Sequence, residues 1–140
     1  MRLLILGAPA SGKTNLARTL SSDFGIPHIE VDQLYWAKEK GGPRSKNFPK
    51  TILAALNHDA WVVEGLARQA LPFVQDKLTH VHLHKVPYPM LVKRTFKRFK
   101  KTYNAKECAI NMNPFYFYRR EKIHSLLLRR GIKPFETSTS

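Results

Sequence analysis

The chain has 140 residues, which suits one domain, and 43% of them are hydrophobic, which is enough for an ordinary packed core. This composition excludes a disordered or fibrous protein. The apolar runs are far too short to span a membrane, and the single cysteine, Cys108, can form neither an internal disulfide nor a cysteine-based metal motif. We therefore expect a cytoplasmic protein.

The positive charge is concentrated in the last two-fifths of the chain. The formal net charge is +14, and residues 1–84 carry 10 basic and 7 acidic side chains, whereas residues 85–140 carry 14 and 3. A segregated charge of this kind indicates a surface that meets polyanions such as nucleotide phosphates or nucleic acid.

Predicted strands and helices alternate along the chain. Strands are expected at residues 2–6, 26–32, 61–64, 81–86 and 133–135. Helices are expected at residues 13–24, 48–57, 68–77, 87–101 and 114–130, with apolar faces that include Phe24, Leu53 and Phe96. This alternation predicts an α/β domain with a mainly parallel sheet.

The strongest signal is a phosphate loop, defined here as residues 7–14. It has the pattern G-x-x-x-x-G-K-T, between the first predicted strand and the first predicted helix, and its members are Gly7, Ala8, Pro9, Ala10, Ser11, Gly12, Lys13 and Thr14. The two glycines let successive amide groups turn inward around a phosphate, and the helix N-terminus points at the same group. The loop therefore predicts ATP binding, and no N-K-x-D motif for reading guanine accompanies it.

Two residues of this loop carry specific chemistry. Lys13 is expected to reach the β- and γ-phosphates, and the Thr14 hydroxyl to bind Mg²⁺. Phosphoryl transfer also needs further positive charge and a group that positions the acceptor.

Candidates for the acceptor side follow two predicted strands. Asp32, at the end of the second strand, is interpreted as an acceptor contact, a water-mediated Mg²⁺ ligand or a general base, or else as a carboxylate in a turn or helix cap. Glu64 could hold Mg²⁺ through water and Gly65 would let a substrate approach the backbone, or the two could simply form a turn at the strand end. Arg68 could clamp an anionic acceptor or be a solvated helix residue, and Trp36 could line the pocket or simply pack.

Arginines flank a polar connector in the basic part of the chain. Arg94 and Arg98 are four residues apart and share a predicted helix face, and Arg119 lies on the next helix. We interpret these three as catalytic groups, and Arg98 also as an ATP contact, at the hinges of a lid at about residues 99–114 that would close over the triphosphate. The alternative is a solvated basic surface.

Three histidines alternate along the fourth predicted strand: His80, His82 and His84. The H-x-H spacing can bind a transition metal. We favour buried histidines with hydrogen-bond partners, because the strand is expected to be covered on both sides and no acidic or cysteine ligand is near in sequence.

The motifs together resemble a known family. The segment GAPASGKTNLARTL, the strand before Asp32 and Trp36, and W-V-V-E-G ahead of Arg68 resemble the adenylate-kinase-like P-loop kinases, and most closely the group of predicted nucleotide kinases called DNA topology modulation protein. That group has Asp-Gly-Asn where this chain has Glu64-Gly65-Leu66.

The resemblance implies a three-layer α/β/α fold with a five-stranded parallel sheet in the order 2-3-1-4-5. It also implies an acceptor site after Asp32 and around Gly65 to Arg68. From length and composition we expect one domain over residues 1–136 and a frayed tail at residues 137–140. The leading hypothesis is transfer of the γ-phosphoryl group of ATP, with Mg²⁺, to a small acceptor such as a nucleoside or nucleotide. The alternative is a nucleic-acid-associated NTPase, or a kinase of nucleic-acid ends, that uses the basic second half. The sequence does not indicate an oligomeric state.

Overall fold

The computed structural model describes residues 1–8, 11–38, 42–101 and 114–136. The described elements follow in the order β1 (Arg2–Leu6), α1 (Lys13–Phe24), β2 (His28–Glu30), α2 (Val31–Tyr35), α3 (Phe48–Ala55), β3 (Trp61–Glu64), α4 (Ala67–Val74), β4 (His80–Leu83), α5 (Tyr88–Lys101), α6 (Pro114–Arg129) and β5 (Lys133–Pro134). None of the described helices is long and apolar enough to cross a membrane. Most of the predicted lid and the whole predicted tail lie outside the described residues.

The strands form one parallel sheet with β1 at its centre. The order is β2-β3-β1-β4-β5, and every pair of neighbours runs parallel. The predicted fold class and strand order are confirmed. A central parallel strand is buried on both faces, which explains why β1 is an unbroken apolar run with Leu3 to Leu6 at most 1% exposed.

Helices cover both faces of the sheet. Alternate residues of β1 point to opposite sides, so Leu4 and Leu6 join one apolar core and Leu3 and Ile5 join another. The first core includes Ile52 of α3, Ala70 of α4 and Leu127 of α6. The second includes Ala17 and Leu20 of α1. The fold therefore has the three layers that the resemblance implied.

The second strand is shorter than predicted. Residues 26–32 were expected to be extended, but β2 covers only His28–Glu30 and Val31 begins α2. The pairing of β2 with β3 ends at Glu30 and Glu64, because the chain turns at Gly65 (φ 88°) and offers no further strand to pair with. Asp32 therefore lies in the first turn of α2, and its predicted position at a strand end is wrong.

Other element ends and apolar faces also differ from the expectation. β4 ends at Leu83 instead of residue 86, and α3 ends at Ala55 instead of residue 57. Phe24, Leu53 and Phe96 are 58%, 46% and 53% exposed, so the prediction that they face a core is wrong. For Phe24 the reason is geometric: at 3.6 residues per turn each four-residue step rotates by about 40° around the helix, so the series Leu16, Leu20, Phe24 leaves the buried side. In α1 it is Ala17 that lies inward beside Leu20.

Two neighbouring residues of α3 test this account of the core. Ile52 is fully buried and Leu53 is 46% exposed. We expect Ile52→Ala to lower the free energy of unfolding by about 2–5 kcal/mol, because it removes buried methyl groups and leaves a cavity. Leu53→Ala is the matched control and should change it by about 0.5 kcal/mol or less. Urea unfolding followed by circular dichroism measures both, and equal losses would contradict the assigned helix face.

Candidate functional site

The phosphate loop joins the carboxyl end of β1 to the first turn of α1. Ala8 is buried, and its carbonyl accepts hydrogen bonds from the Ser11 amide at 3.1 Å and from Lys13 Nζ at 3.4 Å. Gly12 has a left-handed backbone (φ 92°), which glycine adopts without strain, and it precedes the first residue of α1. Pro9 and Ala10 lie outside the described residues. Ser11, Lys13 and Thr14 thus surround the N-terminus of a twelve-residue helix, where free amide groups favour anions.

A buried carboxylate lies under the helix side of the loop. Glu64 is the last residue of β3 and is 1% exposed, and its Oε1 accepts a hydrogen bond from Thr14 Oγ1 at 3.2 Å. His28 Nε2 of β2 lies 3.4 Å from the same oxygen. Because a carboxylate taken out of water needs partners, these contacts fix Glu64 towards the loop. Sequence reasoning missed His28; the parallel pairing of His28 with Val62 brings it near Glu64.

The donor atoms beside Thr14 suit magnesium. Mg²⁺ prefers oxygen ligands and is usually held by one or two carboxylates together with substrate phosphates and water. The Thr14 hydroxyl and the Glu64 carboxylate are such ligands, and they adjoin the phosphate loop. Within the described ranges, no three His, Cys, Asp or Glu side chains are grouped as an all-protein metal site.

Two cationic side chains donate hydrogen bonds to carbonyl oxygens of the loop. Arg94 of α5 donates from Nη1 to the Ser11 carbonyl at 3.2 Å, while Lys13 donates to the Ala8 carbonyl. Arg94 therefore lies at the loop, although 83 residues separate it from Ser11 in sequence. Charge-assisted donors of this kind can exchange a neutral carbonyl for a phosphate oxygen.

The loop contacts described above do not include the other predicted arginines. The Arg98 side chain is not among those described, and Arg119 is half-buried on α6. Arg68 is exposed on α4 and makes no hydrogen bond or ion pair with the described residues.

The predicted acceptor residues Asp32, Trp36 and Gly65 lie together. Trp36 Nε1 donates to Asp32 Oδ1 at 3.4 Å, one turn away. A Cβ atom on Gly65 would lie 2.9 Å from Asp32 Oδ2, and the φ of Gly65 is 88°, so glycine allows this approach to α2 without backbone strain or a shift of the Asp32 side chain. The half-buried Asp32 carboxylate thus lies against the residue that follows Glu64.

Aromatic rings hold α2 in place. Tyr35 contacts Phe48 edge to face with ring centroids 5.0 Å apart, and Phe48 contacts Phe73 in the same way at 5.6 Å. Tyr35 also meets Trp36 at 4.6 Å. Sequence reasoning did not assign Phe48 or Phe73 to this region. Their contacts link α2, α3 and α4, and so fix where Asp32 is presented.

His84 lies against the loop, a contact that sequence reasoning did not predict. A Cβ on Gly7 would lie 3.5 Å from His84 Cβ, and one on Gly12 would lie 3.6 Å from His84 Nε2. Burial lowers the pKa of His84, as do the charges of His82, Arg94 and Lys13, while a hydrogen bond with the Ser11 backbone opposes them. The ring is therefore neutral near pH 7. Its neighbour His82 instead has Nδ1 2.8 Å from the carbonyl of Phe135.

Comparisons with known proteins agree with this fold and loop. No protein-family model matches the chain. It is 59% identical to an adenylate kinase of Caldicellulosiruptor saccharolyticus over 34 residues, which is 24% of this chain and 16% of the relative. It is 35% identical to one of Baumannia cicadellinicola over 75 residues, 52% and 35% of the two chains, and 26% identical to one of Anaeromyxobacter sp. over 85 residues, 61% and 37%.

A solved structure is similar over most of the chain. The match is to a gluconokinase from Sinorhizobium meliloti, with a TM-score of 0.55, 17% identity, and coverage of 81% of this chain and 75% of that one. At that identity it establishes the fold alone. The resemblance to adenylate-kinase-like P-loop kinases is thereby confirmed, while these matches do not support the narrower one to the DNA topology modulation protein group. The chain spans 16 to 37% of the length of the three curated relatives.

Gly65→Ala tests the close approach at the acceptor side. Gly65 and Gly25 both have positive φ, but a Cβ on Gly25 would meet nothing within 4 Å. Gly25→Ala, the matched control, should lower the free energy of unfolding by about 1 kcal/mol through backbone strain alone. We expect Gly65→Ala to exceed this loss by about 1 kcal/mol or more, because the added methyl displaces the Asp32 carboxylate. Equal losses in urea unfolding would show that Asp32 yields without resistance.

The histidines predict how stability depends on pH. Burial is the largest cause that lowers the pKa of His80, His84 and His124 in the folded chain. These histidines therefore bind protons more readily in the unfolded chain than in the folded one. Protonation favours unfolding as the pH falls below the usual histidine pKa of about 6.5, so the folded state loses stability there. We expect a lower melting temperature at pH 5.5 than at pH 7.5, and a smaller drop when all three are replaced by Gln. An unchanged drop in that variant would refute the assignment.

Proposed function

We propose that this chain is an ATP-dependent, magnesium-using kinase that transfers the γ-phosphoryl group to a small acceptor held beside Asp32. The observation that carries the proposal is the hydrogen bond of Thr14 to the buried Glu64, whose next residue, Gly65, lies against Asp32. Glu64 and Gly65, at the end of β3, thereby place the phosphate loop on one side and the half-buried Asp32 carboxylate on the other. The adenylate-kinase-like fold and the curated relatives support a phosphotransferase.

The donor half consists of the loop and the groups around it. The loop amides and the N-terminus of α1 would bind the phosphates, and Lys13 would reach the β- and γ-phosphates. Thr14 and Glu64 would hold Mg²⁺, directly or through water, and that ion supplies charge neutralisation between the β- and γ-phosphates. Arg94, already at the loop, would move from the Ser11 carbonyl to a phosphate oxygen. Arg98 and Arg119 are proposed to add positive charge from the lid.

The acceptor half is formed by α2 and the turn after β3. Asp32 would accept a hydrogen bond from the acceptor hydroxyl and take its proton as transfer proceeds. Trp36 donates to Asp32 Oδ1, which leaves Oδ2 on the side of Gly65. Arg68, exposed at the start of α4, would bind an anionic group if the acceptor carries one.

The chemistry of Asp32 favours an acceptor with a free hydroxyl, such as a nucleoside or another small polyol. If the acceptor is itself a phosphate, no base is needed and Asp32 would only orient it. The nucleic-acid alternative is supported by the positive charge of the second half of the chain, including exposed Lys93 and Lys97 on α5.

The predicted cytoplasmic location stays a prediction.

A panel of nucleosides, nucleotides and sugars, each supplied with Mg²⁺ and ATP, tests the proposal through acceptor-dependent release of ADP. With the acceptor that works, Lys13→Ala should lower kcat/KM by about 10³-fold or more, because it removes charge stabilisation of the transferring group. Asp32→Asn should lower kcat by about 10²-fold or more with a hydroxyl acceptor, because it removes the base. Asp32→Asn should leave ATP affinity unchanged.

The control for these variants is Lys50→Ala, on the exposed surface of α3, which should behave as wild type. ATP binding without turnover for any acceptor would refute the kinase proposal. DNA or RNA binding that weakens steeply with salt would instead favour the nucleic-acid alternative, since that dependence reports release of counterions from phosphates.

A further inference from the structure

We propose that His28 is a positioning residue for magnesium, which holds the Glu64 carboxylate against Thr14 so that the two side chains meet the ion together. The inference deepens the proposed function and rests on one part of it, the binding of nucleotide with Mg²⁺ at the phosphate loop. It needs neither phosphoryl transfer nor any particular acceptor.

The sheet places His28 and Glu64 on the face that α1 covers. Val62 of β3 belongs to the apolar core that includes Ala17 and Leu20 of α1. Side chains alternate along a strand, so Glu64, two residues further on, lies on the same face as Val62. His28 is paired with Val62 in the parallel register and shares that face. The fold thus brings a histidine of the edge strand under the helix whose first turn belongs to the phosphate loop.

The Glu64 carboxylate is buried and held from two sides. Glu64 is 1% exposed, and its hydrogen bonds with the described residues both end on Oε1. Thr14 Oγ1 donates from α1 at 3.2 Å, and His28 Nε2 lies at 3.4 Å on β2. A carboxylate only accepts hydrogen bonds, so Nε2 carries the hydrogen. A side chain as flexible as glutamate therefore loses its rotational freedom here before any ligand arrives.

The contacts on Oε1 leave the other oxygen of Glu64 for the ion. Among the residues that the structure describes, none donates to Oε2. The Thr14 hydroxyl has one hydrogen, which it gives to Glu64, and it keeps lone pairs that can bind a cation. Mg²⁺ demands near-ideal octahedral geometry, so it binds well only where its oxygen ligands are already in place.

His28 is the partner of Glu64 that has no other role at the ion. Thr14 is itself a proposed ligand, so its hydroxyl must serve both Mg²⁺ and the carboxylate. Only 16% of the His28 side chain is exposed, so little water competes with Glu64 for Nε2. A group that orients a metal ligand in this way typically changes metal affinity by about 10- to 100-fold.

Variants of His28 test this role through the effect of Mg²⁺ on nucleotide binding. Titration calorimetry measures the affinity for a non-hydrolysable ATP analogue with saturating Mg²⁺ and again with EDTA, and the ratio reports the contribution of the ion. We expect His28→Leu to lower this ratio by about tenfold, because Glu64 is no longer held. The affinity in EDTA should stay near that of wild type, because no phosphate contact is lost. His28→Gln keeps an N–H of similar reach and should recover the ratio to within about threefold.

Two controls separate positioning from general destabilisation. His80→Leu removes another half-buried strand histidine, whose Nδ1 lies 2.8 Å from Thr79 Oγ1 at the start of β4, and it should keep the wild-type ratio. In a Glu64→Gln background, His28→Leu should lower the ratio no further, because a residue that acts through another is not additive with it. A further loss there would show that His28 does not act through Glu64.

A folded His28→Leu with the wild-type ratio would overturn the inference, as would a His28→Gln that is as weak as His28→Leu. If His28→Leu does not fold, His28→Asn takes its place, because its amide is polar but too short to reach Glu64. The same loss is then expected, and a wild-type ratio would count against the role just as strongly.

The outcomes separate this inference from the proposed function. Wild-type protein that binds no nucleotide, or binds it equally with Mg²⁺ and with EDTA, overturns the inference together with the magnesium part of the proposed function. Wild-type protein that responds to Mg²⁺ but phosphorylates nothing refutes the kinase and leaves the variants to judge His28.

Discussion

The site depends on the parallel pairing of β1 between β3 and β4. Parallel neighbours end at the same edge of a sheet, so Leu6, Glu64 and Leu83 finish side by side. Of the residues that follow these ends, Gly7 begins the loop and packs against His84, and Gly65 turns against Asp32. Helices cover β1 on both faces, so two apolar cores hold the strand ends in place. On the proposed function, phosphate-binding and acceptor-binding groups would lie at this one edge.

Glu64 gives that edge its polarity. A buried carboxylate is costly unless it is paired, and here Thr14 and His28 contact the same oxygen. The pairing ties the first turn of α1 to the ends of β2 and β3, so three elements share one polar centre. With Asp32 beyond Gly65, the chain carries two carboxylates in different surroundings. One is buried and bonded to Thr14 of the loop, and the other is half-buried next to Gly65.

Much of the fold could be predicted from the sequence because its signals are local. The apolar run of β1, the glycine loop and the terminating Gly25 each mark an element within a few residues. The extent of β2 could not be predicted, since it is set by where β3 turns, which is a long-range contact. For the same reason Phe24 was wrongly placed inward: helical spacing alone does not say where the partner surface ends.

The site was predictable where a motif specifies it and not where tertiary contacts do. The loop, and the Glu64-Gly65 sequence at the end of a strand, can be recognised from spacing along the chain. The contacts of His28 and His84 depend on strand register, which no sequence pattern revealed. Arg94 was selected for its charge, yet its contact with Ser11 comes from the path of α5 after β4.

The hydrogen bonds of Lys13 and Arg94 to loop carbonyls have a consequence for ligand binding. Each cation meets the dipole of a carbonyl group at the loop. On the proposed function, an arriving phosphate would offer both side chains a full negative charge, which attracts a cation more strongly than a dipole does. Because these contacts already order both side chains at the loop, part of the entropy cost of placing them is incurred during folding instead of during binding.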